Sequence, residues 1–314
     1  MNFKSEIIKS SERLEKYINK TPVLTSTIIN EISGAKLYFK CENFQKMGAF
    51  KMRGATNKIL QLTEEQKRNG VVTHSSGNYA QAVALACKKL GIKSYIVMPK
   101  NAPQVKKDGV IFYGGEIIEC EPTVEAREAT AKSIQDEKKA TFVHPYNDID
   151  VILGNATAGK ELLEEIPDLN YVISPIGGGG LISGICLSAN EFGNNCSVIG
   201  VEPLNMNDAF RSLKEGSIQK NPLENTSIAD GLKTNLGDIT FDIIKNNVKE
   251  IITVTEEEII QAMKLIWERM KIIVEPSSSV TLAAILKYKE KFRDKKIGLL
   301  ISGGNVDLKN LPWS

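Results

Sequence analysis

The sequence predicts an α/β protein organised on mainly parallel sheet, and three observations predict it. Short β-rich runs recur from Lys36 to Ile301, they are nearly continuously apolar, and most are separated by segments with helical spacing. Strands apolar on both faces need helices above and below them. That arrangement makes the sheet parallel and its crossovers right-handed.

In chain order, a helix is predicted over Ser5–Tyr17, then a loop through Thr21-Pro22 and a strand at Lys36–Cys41. A helix opens at Lys51 and continues through Asn57–Leu62. Strands follow at Val71–Thr73, Tyr95–Met98, Glu116–Ile118 and Thr141–Val143, then at Tyr171–Ile173, Ser197–Ile199, Ile251–Val254 and Ile297–Ile301. Thr255-Glu256-Glu257-Glu258 is a capping-box pattern. Ile259, Met263, Ile266, Trp267 and Met270 then share one helical face, read as core packing. No repeat, low-complexity tract or long linker marks a boundary. Residues 70–147 form a run of strand–helix units compatible with a subdomain.

Composition narrows the function. A chain of 314 residues with 42% hydrophobic and 25% charged content suits one large α/β unit or two domains. A net charge of +2 gives no electrostatic case for nucleic acid or an anionic membrane. No apolar run reaches a membrane span, and the first residues lack a secretion signal's layout. Cys41, Cys87, Cys120, Cys186 and Cys196 are odd in number and widely spaced, which reads as reduced core thiols of a cytoplasmic protein. With only His74 and His144, a histidine-rich metal site is excluded.

Five stretches carry chemistry. In Gly48-Ala49-Phe50-Lys51-Met52-Arg53-Gly54-Ala55 a lysine follows an aromatic at a helix mouth, where a dry pocket would ease proton loss and Schiff-base formation. His74-Ser75-Ser76-Gly77-Asn78-Tyr79-Ala80-Gln81 follows a strand; its hydroxyls and amide suit either a carboxylate or a plain N-cap. Gly177-Gly178-Gly179-Gly180 follows another strand, and four glycines let several N–H groups converge on one phosphate. The spacing matches neither nucleotide-binding signature: there is no GxxxxGK[ST], and G-x-G-x-x-G from Gly178 ends on Ser183. Glu202 and Asp208 could share a hard cation with a carbonyl between them. Ser302-Gly303-Gly304-Asn305 ends the last strong strand with a hydroxyl able to meet a ring nitrogen. A lysine amine, a glycine phosphate cup and a neutral hydroxyl are together what pyridoxal 5'-phosphate (PLP) requires.

On these residues the chain resembles the fold-type II PLP enzymes, most of all the serine racemase and serine/threonine dehydratase branch. The resemblance runs through Phe39–Lys46, the Lys51 stretch, His74–Gln81, the tetraglycine loop and Ile228-Ala229-Asp230-Gly231. It continues in Trp267–Lys271, Val274-Glu275-Pro276 and Ser302–Asp307. It implies a tryptophan synthase β-like fold with two twisted, mainly parallel sheets flanked by helices. Residues 1–69 and 148–314 would form a large PLP-binding domain, and 70–147 a small mobile domain that closes over substrate.

By the same resemblance, Lys51 is the Schiff-base lysine and the base on one face of the substrate Cα, and Ser76 serves the opposite face. Phe50 and Asn78 contact the cofactor ring, Gly177–Gly180 hold its phosphate, and Ser302 faces the pyridine nitrogen. Ser75, Ser76, Asn78 and Arg127 fall at the substrate-carboxylate grip, with Tyr79 where the family usually has histidine. Glu202, the Met206 carbonyl and Asp208 align with a divalent-cation site for magnesium, or calcium or manganese. The implied substrate is a small β-hydroxy amino acid. Reprotonation at Cα gives D/L-serine; loss of water gives a keto acid and ammonia. A homodimer, and in part of the family a nucleotide effector, are also implied. Ala49 for the usual serine, Tyr79 for histidine, and Ser277-Ser278-Ser279 for glycine or alanine depart from the pattern and leave room for 3-hydroxyaspartate. Two further readings are a nucleotide-binding dehydrogenase and an inert PLP-binding protein.

Overall fold

In the computed structural model, which describes residues 1–75, 77–102, 104–222 and 224–313, the strands form two sheets. The larger contains β1 (Val23–Leu24), β2 (Lys36–Cys41), β7 (Tyr171–Pro175), β8 (Ser197–Pro203), β9 (Val248–Val254) and β10 (Lys296–Ile301), in the order β1-β2-β10-β7-β8-β9. The smaller contains β3 (Val71–His74), β4 (Ser94–Pro99), β5 (Glu116–Cys120) and β6 (Thr141–Phe142), in the order β5-β4-β3-β6. Every pairing is parallel except β1 with β2. The sequence showed each strand except β1, a two-residue antiparallel edge within the predicted loop. Its first helix, α1 (Phe3–Leu14), stops three residues earlier than predicted, because the N–H groups of Tyr17 and Ile18 both turn back onto Leu14 O.

Both sheets reverse direction once, and these reversals locate the site. In the larger sheet β7, β8 and β9 march outward while β10 returns to the other side of β7. The loop after β7 is the tetraglycine, and the residue after β10 is Ser302. In the smaller sheet β4 lies on one side of β3 and β6 on the other. The loops there hold Ser75 and Gly77 after β3 and Val143–Asn147 after β6. Ligands of open parallel sheets bind at such switch points, outside the strand carboxyl ends.

Between the sheets runs α3 (Lys51–Leu60), whose first residue is Lys51. One side buries Met52, Ala55 and Ile59 against Tyr79, Ala80 and Val83 of α5 (Asn78–Leu90). The other side meets α8 (Ile149–Glu165). At that crossing a Cβ on Gly54 would come within 2.7 Å of Val151 O, and one on Gly154 within 2.7 Å of Arg53 O, so both positions exclude any side chain. Arg53 is fully buried. Its Nε donates to Glu42 Oε2 at 2.7 Å and its Nη1 to Glu161 Oε1 at 2.7 Å, while Lys40 Nζ joins Glu161 Oε2 at 2.6 Å. This ion network ties the start of α3 to the end of β2 and to α8.

α12 (Glu256–Met270) carries the predicted capping box and buries Ile259, Met263 and Ile266, with Trp267 and Met270 packed on the same core. Cys41, Cys87, Cys120 and Cys186 are buried free thiols, and Cys196 is half-buried. Among the described residues no helix is long and apolar enough to cross a membrane.

Candidate active site

Lys51 Nζ donates to Pro145 O at 3.0 Å, on the loop after β6. It lies 5.0 Å from the Phe50 ring centroid and 5.5 Å from that of Tyr79. Burial between these rings pushes the amine down to about 8, while the Glu275 carboxylate pulls the other way. A substantial neutral fraction near physiological pH is the state a nucleophilic or proton-accepting amine needs.

Gly177–Gly180 join β7 to α9 (Gly180–Phe192), with Gly179 at φ +87°, a region that favours glycine. None of the four N–H groups has a partner among the described residues. Unpaired donors at a helix N-terminus are what a phosphate dianion satisfies. The cup is closely walled. Thr240 Oγ1 donates to Gly178 O at 2.9 Å, and a Cβ on Gly178 would stand 2.5 Å from the ring of Tyr146, the neighbour of Pro145. One short loop therefore supplies both the carbonyl under the Lys51 amine and the aromatic wall of the cup.

Ser302 meets the same place from the other sheet strand. Its carbonyl accepts from Phe50 N–H at 3.0 Å, and Ala49 bridges Gly303, so the end of β10 is bonded to the start of α3. Asn78 opens α5; its Nδ2 donates to both carboxylate oxygens of Glu275 at 3.1 Å, and its Oδ1 accepts from Asn305 Nδ2 at 2.9 Å. The plain N-cap reading of this loop fails at the cap itself: Gly77 holds that position without a side-chain bond. Among the described residues Ser75 Oγ accepts one long bond, from Gly77 N–H at 3.4 Å. Ser76 lies outside the described residues.

The chain matches a family model described as pyridoxal-phosphate dependent enzyme over residues 14–303. It belongs to that PLP-dependent enzyme family. The dehydrogenase reading is thereby set aside. The chain is 51% identical over 309 residues to a serine racemase of Dictyostelium discoideum, covering 98% of this chain and 95% of that protein. It is 48% identical over 309 residues to a beta-hydroxyaspartate dehydratase of Paracoccus denitrificans, covering 98% of each. The solved structure of maize serine racemase superposes with a TM-score of 0.95 at 44% identity, covering 97% of this chain and 94% of that one.

For PLP, the residues present fit: a desolvated lysine, free N–H donors in a glycine cup, and a buried hydroxyl at the next strand end. Arg127 is half-buried, with Nε donating to Thr123 O at 3.3 Å, and its charge, after burial, helps hold the His74 imidazole below its ordinary value. Tyr79 is 2% exposed; its ring faces the Lys51 amine, and its hydroxyl has no partner among the described residues.

Glu202, at the end of β8, and Asp208, opening α10 (Asp208–Glu215), are both fully buried. Glu202 accepts from Ala209 N–H at 3.0 Å and Phe210 N–H at 2.8 Å; Asp208 accepts from Asn221 Nδ2 at 2.6 Å and Leu236 N–H at 2.9 Å. Burial, and then Asp208, drive Glu202 well above its ordinary range, and burial lifts Asp208 to about 6. No lysine or arginine among the described residues bonds either carboxylate; nearby Arg211 is turned to Asn207, Lys220 and Asn221. Met206 is buried on the turn between them, its N–H on Pro203 O.

Sequence reasoning missed Glu275 as a site residue. It is 3% exposed, and burial, reinforced by Asp230, raises it to about 7. Its motif was visible, but the contact to Asn78 spans 197 positions. Pro145 and Tyr146 carried no motif. Lys106 of α6 (Gln104–Phe112) pairs with Asp230, linking the helix beside the smaller sheet to the turn beside the glycine cup.

Proposed function

We propose that this protein acts on a small β-hydroxy amino acid, taking the proton from Cα and either returning it, to interconvert D- and L-serine, or expelling the β-hydroxyl to give a keto acid and ammonia. The observation that carries this reading is the Lys51 amine, held near 8 between two aromatic rings beside a cup of unpaired N–H donors. PLP, when bound, supplies the electron sink for the pair left at Cα. Lys51 holds or accepts the α-proton on one face, with its direction set by the Pro145 carbonyl. Ser76 is assigned the opposite face, since inversion needs a second acid/base group there. Gly177–Gly180 anchor the phosphate, Phe50 and Asn78 orient the ring, and Ser302 meets its nitrogen. Ser75, Ser76, Asn78, Tyr79 and Arg127 are assigned to the substrate.

A divalent cation, magnesium first, is proposed at Glu202, Asp208 and the Met206 carbonyl. Two buried acids without a bonded cationic side chain support it. Residues 1–69 with 148–314, and 70–147, are proposed as large and small domains, the latter closing on substrate. The proposal extends to a cytoplasmic homodimer with a nucleotide effector.

A 3-hydroxyaspartate dehydratase is the second reading, favoured by the relative of that activity at 48% identity. Serine, threonine and both hydroxyaspartate diastereomers, assayed for keto acid release and for chirality with and without magnesium, separate the two. Serine turnover into both D-serine and pyruvate supports the first; keto acid from hydroxyaspartate alone transfers the assignment to the second. Ser76→Ala should reduce inversion more than elimination from L-serine, and equal loss of both would remove its assigned role.

A further inference from the structure

The serine triplet at 277–279 is a departure that the reaction outlined above leaves unused. Its middle member, Ser278, is fully buried in the first turn of α13 (Pro276–Lys287). Ser278 Oγ lies 3.1 Å from Ser302 Oγ, 2.7 Å from Gly303 O and 2.8 Å from Gly303 N. The Gly303 N–H can only donate and the Gly303 carbonyl can only accept. Ser278 therefore has a donor behind it and a choice of two acceptors before it. Swinging its proton from Gly303 O to Ser302 leaves no orphan, because Gly303 O also accepts from Glu275 N–H at 3.1 Å. Ser302 is 3% exposed, and Ser278 is the one side-chain partner of its hydroxyl among the described residues.

Two complete hydrogen-bond chains follow, resting on the assignment of Ser302 to the PLP ring nitrogen. With a neutral ring nitrogen, Gly303 N–H donates to Ser278, Ser278 to Ser302, and Ser302 to the ring. With a protonated one, the ring N–H donates to Ser302, Ser302 to Ser278, and Ser278 to Gly303 O. Every hydrogen meets an acceptor in both directions, and such chains reinforce themselves. We propose that Ser278 is a positioning residue whose hydroxyl makes the Ser302 contact reversible, so that the site accepts the pyridine nitrogen of PLP in either protonation state. Alanine at 278 would leave only the donor mode, because a Ser302 hydroxyl accepting from a protonated ring would have its own hydrogen stranded in a dry site. Access to the protonated ring prolongs the carbanion, which favours return of the proton over expulsion of the hydroxyl.

Nitrogen-15 NMR of ring-labelled PLP in the holoenzyme, followed from about pH 6 to about pH 9, tests the relay. Titratable groups around the pair are Glu275, the N-cap of α13, whose carboxylate lies 3.0 Å from where a Cβ on Gly303 would stand; Lys51, Asp230 and Lys106, whose charges couple to Glu275; and Cys41, paired with Ile301 across β2 and β10. Their contributions are common to all variants compared. In S278A the ring nitrogen should bind its proton about tenfold more weakly than in wild type, the cost of one buried unpaired donor. Placing S278A in an S302A background should change nothing further, and S278T, which keeps the hydroxyl, should titrate as wild type. An S278A titration superimposable on wild type overturns the relay, as does an equal shift in the S302A background. If S278A does not fold, a wild-type ring signal that is fixed at the neutral-pyridine position throughout overturns it equally. Failure of PLP to bind at all removes the parent assignment instead.

Discussion

Replacing Glu275 by Gln should stabilise the cofactor-free protein at alkaline pH and leave it nearly unchanged at acid pH. Glu275 is sealed from solvent, and its carboxyl is held at about 7 in place of its ordinary 4.5. Below the ordinary value it is protonated in folded and unfolded chains alike. Between 4.5 and about 7 the unfolded chain ionises first, so stability falls as pH rises, and above 7 the full penalty is present. At about 1.4 kcal/mol per pH unit that penalty is about 3 kcal/mol. Gln can still accept from Asn78 Nδ2, but its own amide faces the same donor, an opposing loss of about 1 kcal/mol at every pH. The net gain is then about 2 kcal/mol near pH 8.5 and about zero near pH 5. Lys51 bears only on the alkaline end. Its depressed amine destabilises the fold while charged, and that cost fades as pH rises from about 8 to 10.5. Urea midpoints of wild type and variant at the two pH values, with unchanged slopes, measure the difference. An identical difference at both would refute a buried, titrating Glu275.

Gly178→Ala places a methyl 2.5 Å from the Tyr146 ring and should cost about 1–3 kcal/mol of stability while weakening PLP binding. Absorbance titration with PLP reads the second effect, and Tyr146→Ala in the same chain should recover most of the stability but not all of the affinity. Arg53→Met strands the fully buried Glu42 and should lower stability by about 3–5 kcal/mol, seen as a lower urea midpoint. Adding Glu42→Gln should return part of that loss; no return would mean the network does not behave as a unit.

What was legible in the sequence is what local chemistry dictates. A lysine at a helix mouth and four glycines after an apolar strand announce themselves, because each is a local pattern that can be read without knowing what lies opposite. Nine of the strands were visible through their apolar runs; β1 was not, since two residues give no periodicity and its pairing with β2 is the whole of its definition. Partnerships across the chain were invisible for the same reason. Arg53 reaches Glu161 over 108 positions and Asn78 reaches Glu275 over 197, and no spacing rule operates at those separations. The serine triplet drew notice only as a departure; the partners of its middle member, Ser302 and Gly303, come from the turn after β10.

Topology resolves why these distant pairs converge. The larger sheet's switch point brings the glycine cup and Ser302 side by side, and the smaller sheet's brings the loops after β3 and β6, with Ser75 and Gly77 on one and Pro145 and Tyr146 on the other, to one edge. Among the described residues, polar contacts between the two sheets' surroundings include Asn78 with Glu275 and Asn305, Lys106 with Asp230, Lys51 with the Pro145 carbonyl, and Asn147 with Asp238 and the Ile239 N–H. On the proposed closure, displacing the smaller sheet would strain these contacts, the one between the Lys51 amine and the Pro145 carbonyl among them. If the halves close on substrate as proposed, the same movement would bring the Asn78–Glu275 contact and the Pro145 carbonyl under the Lys51 amine into register.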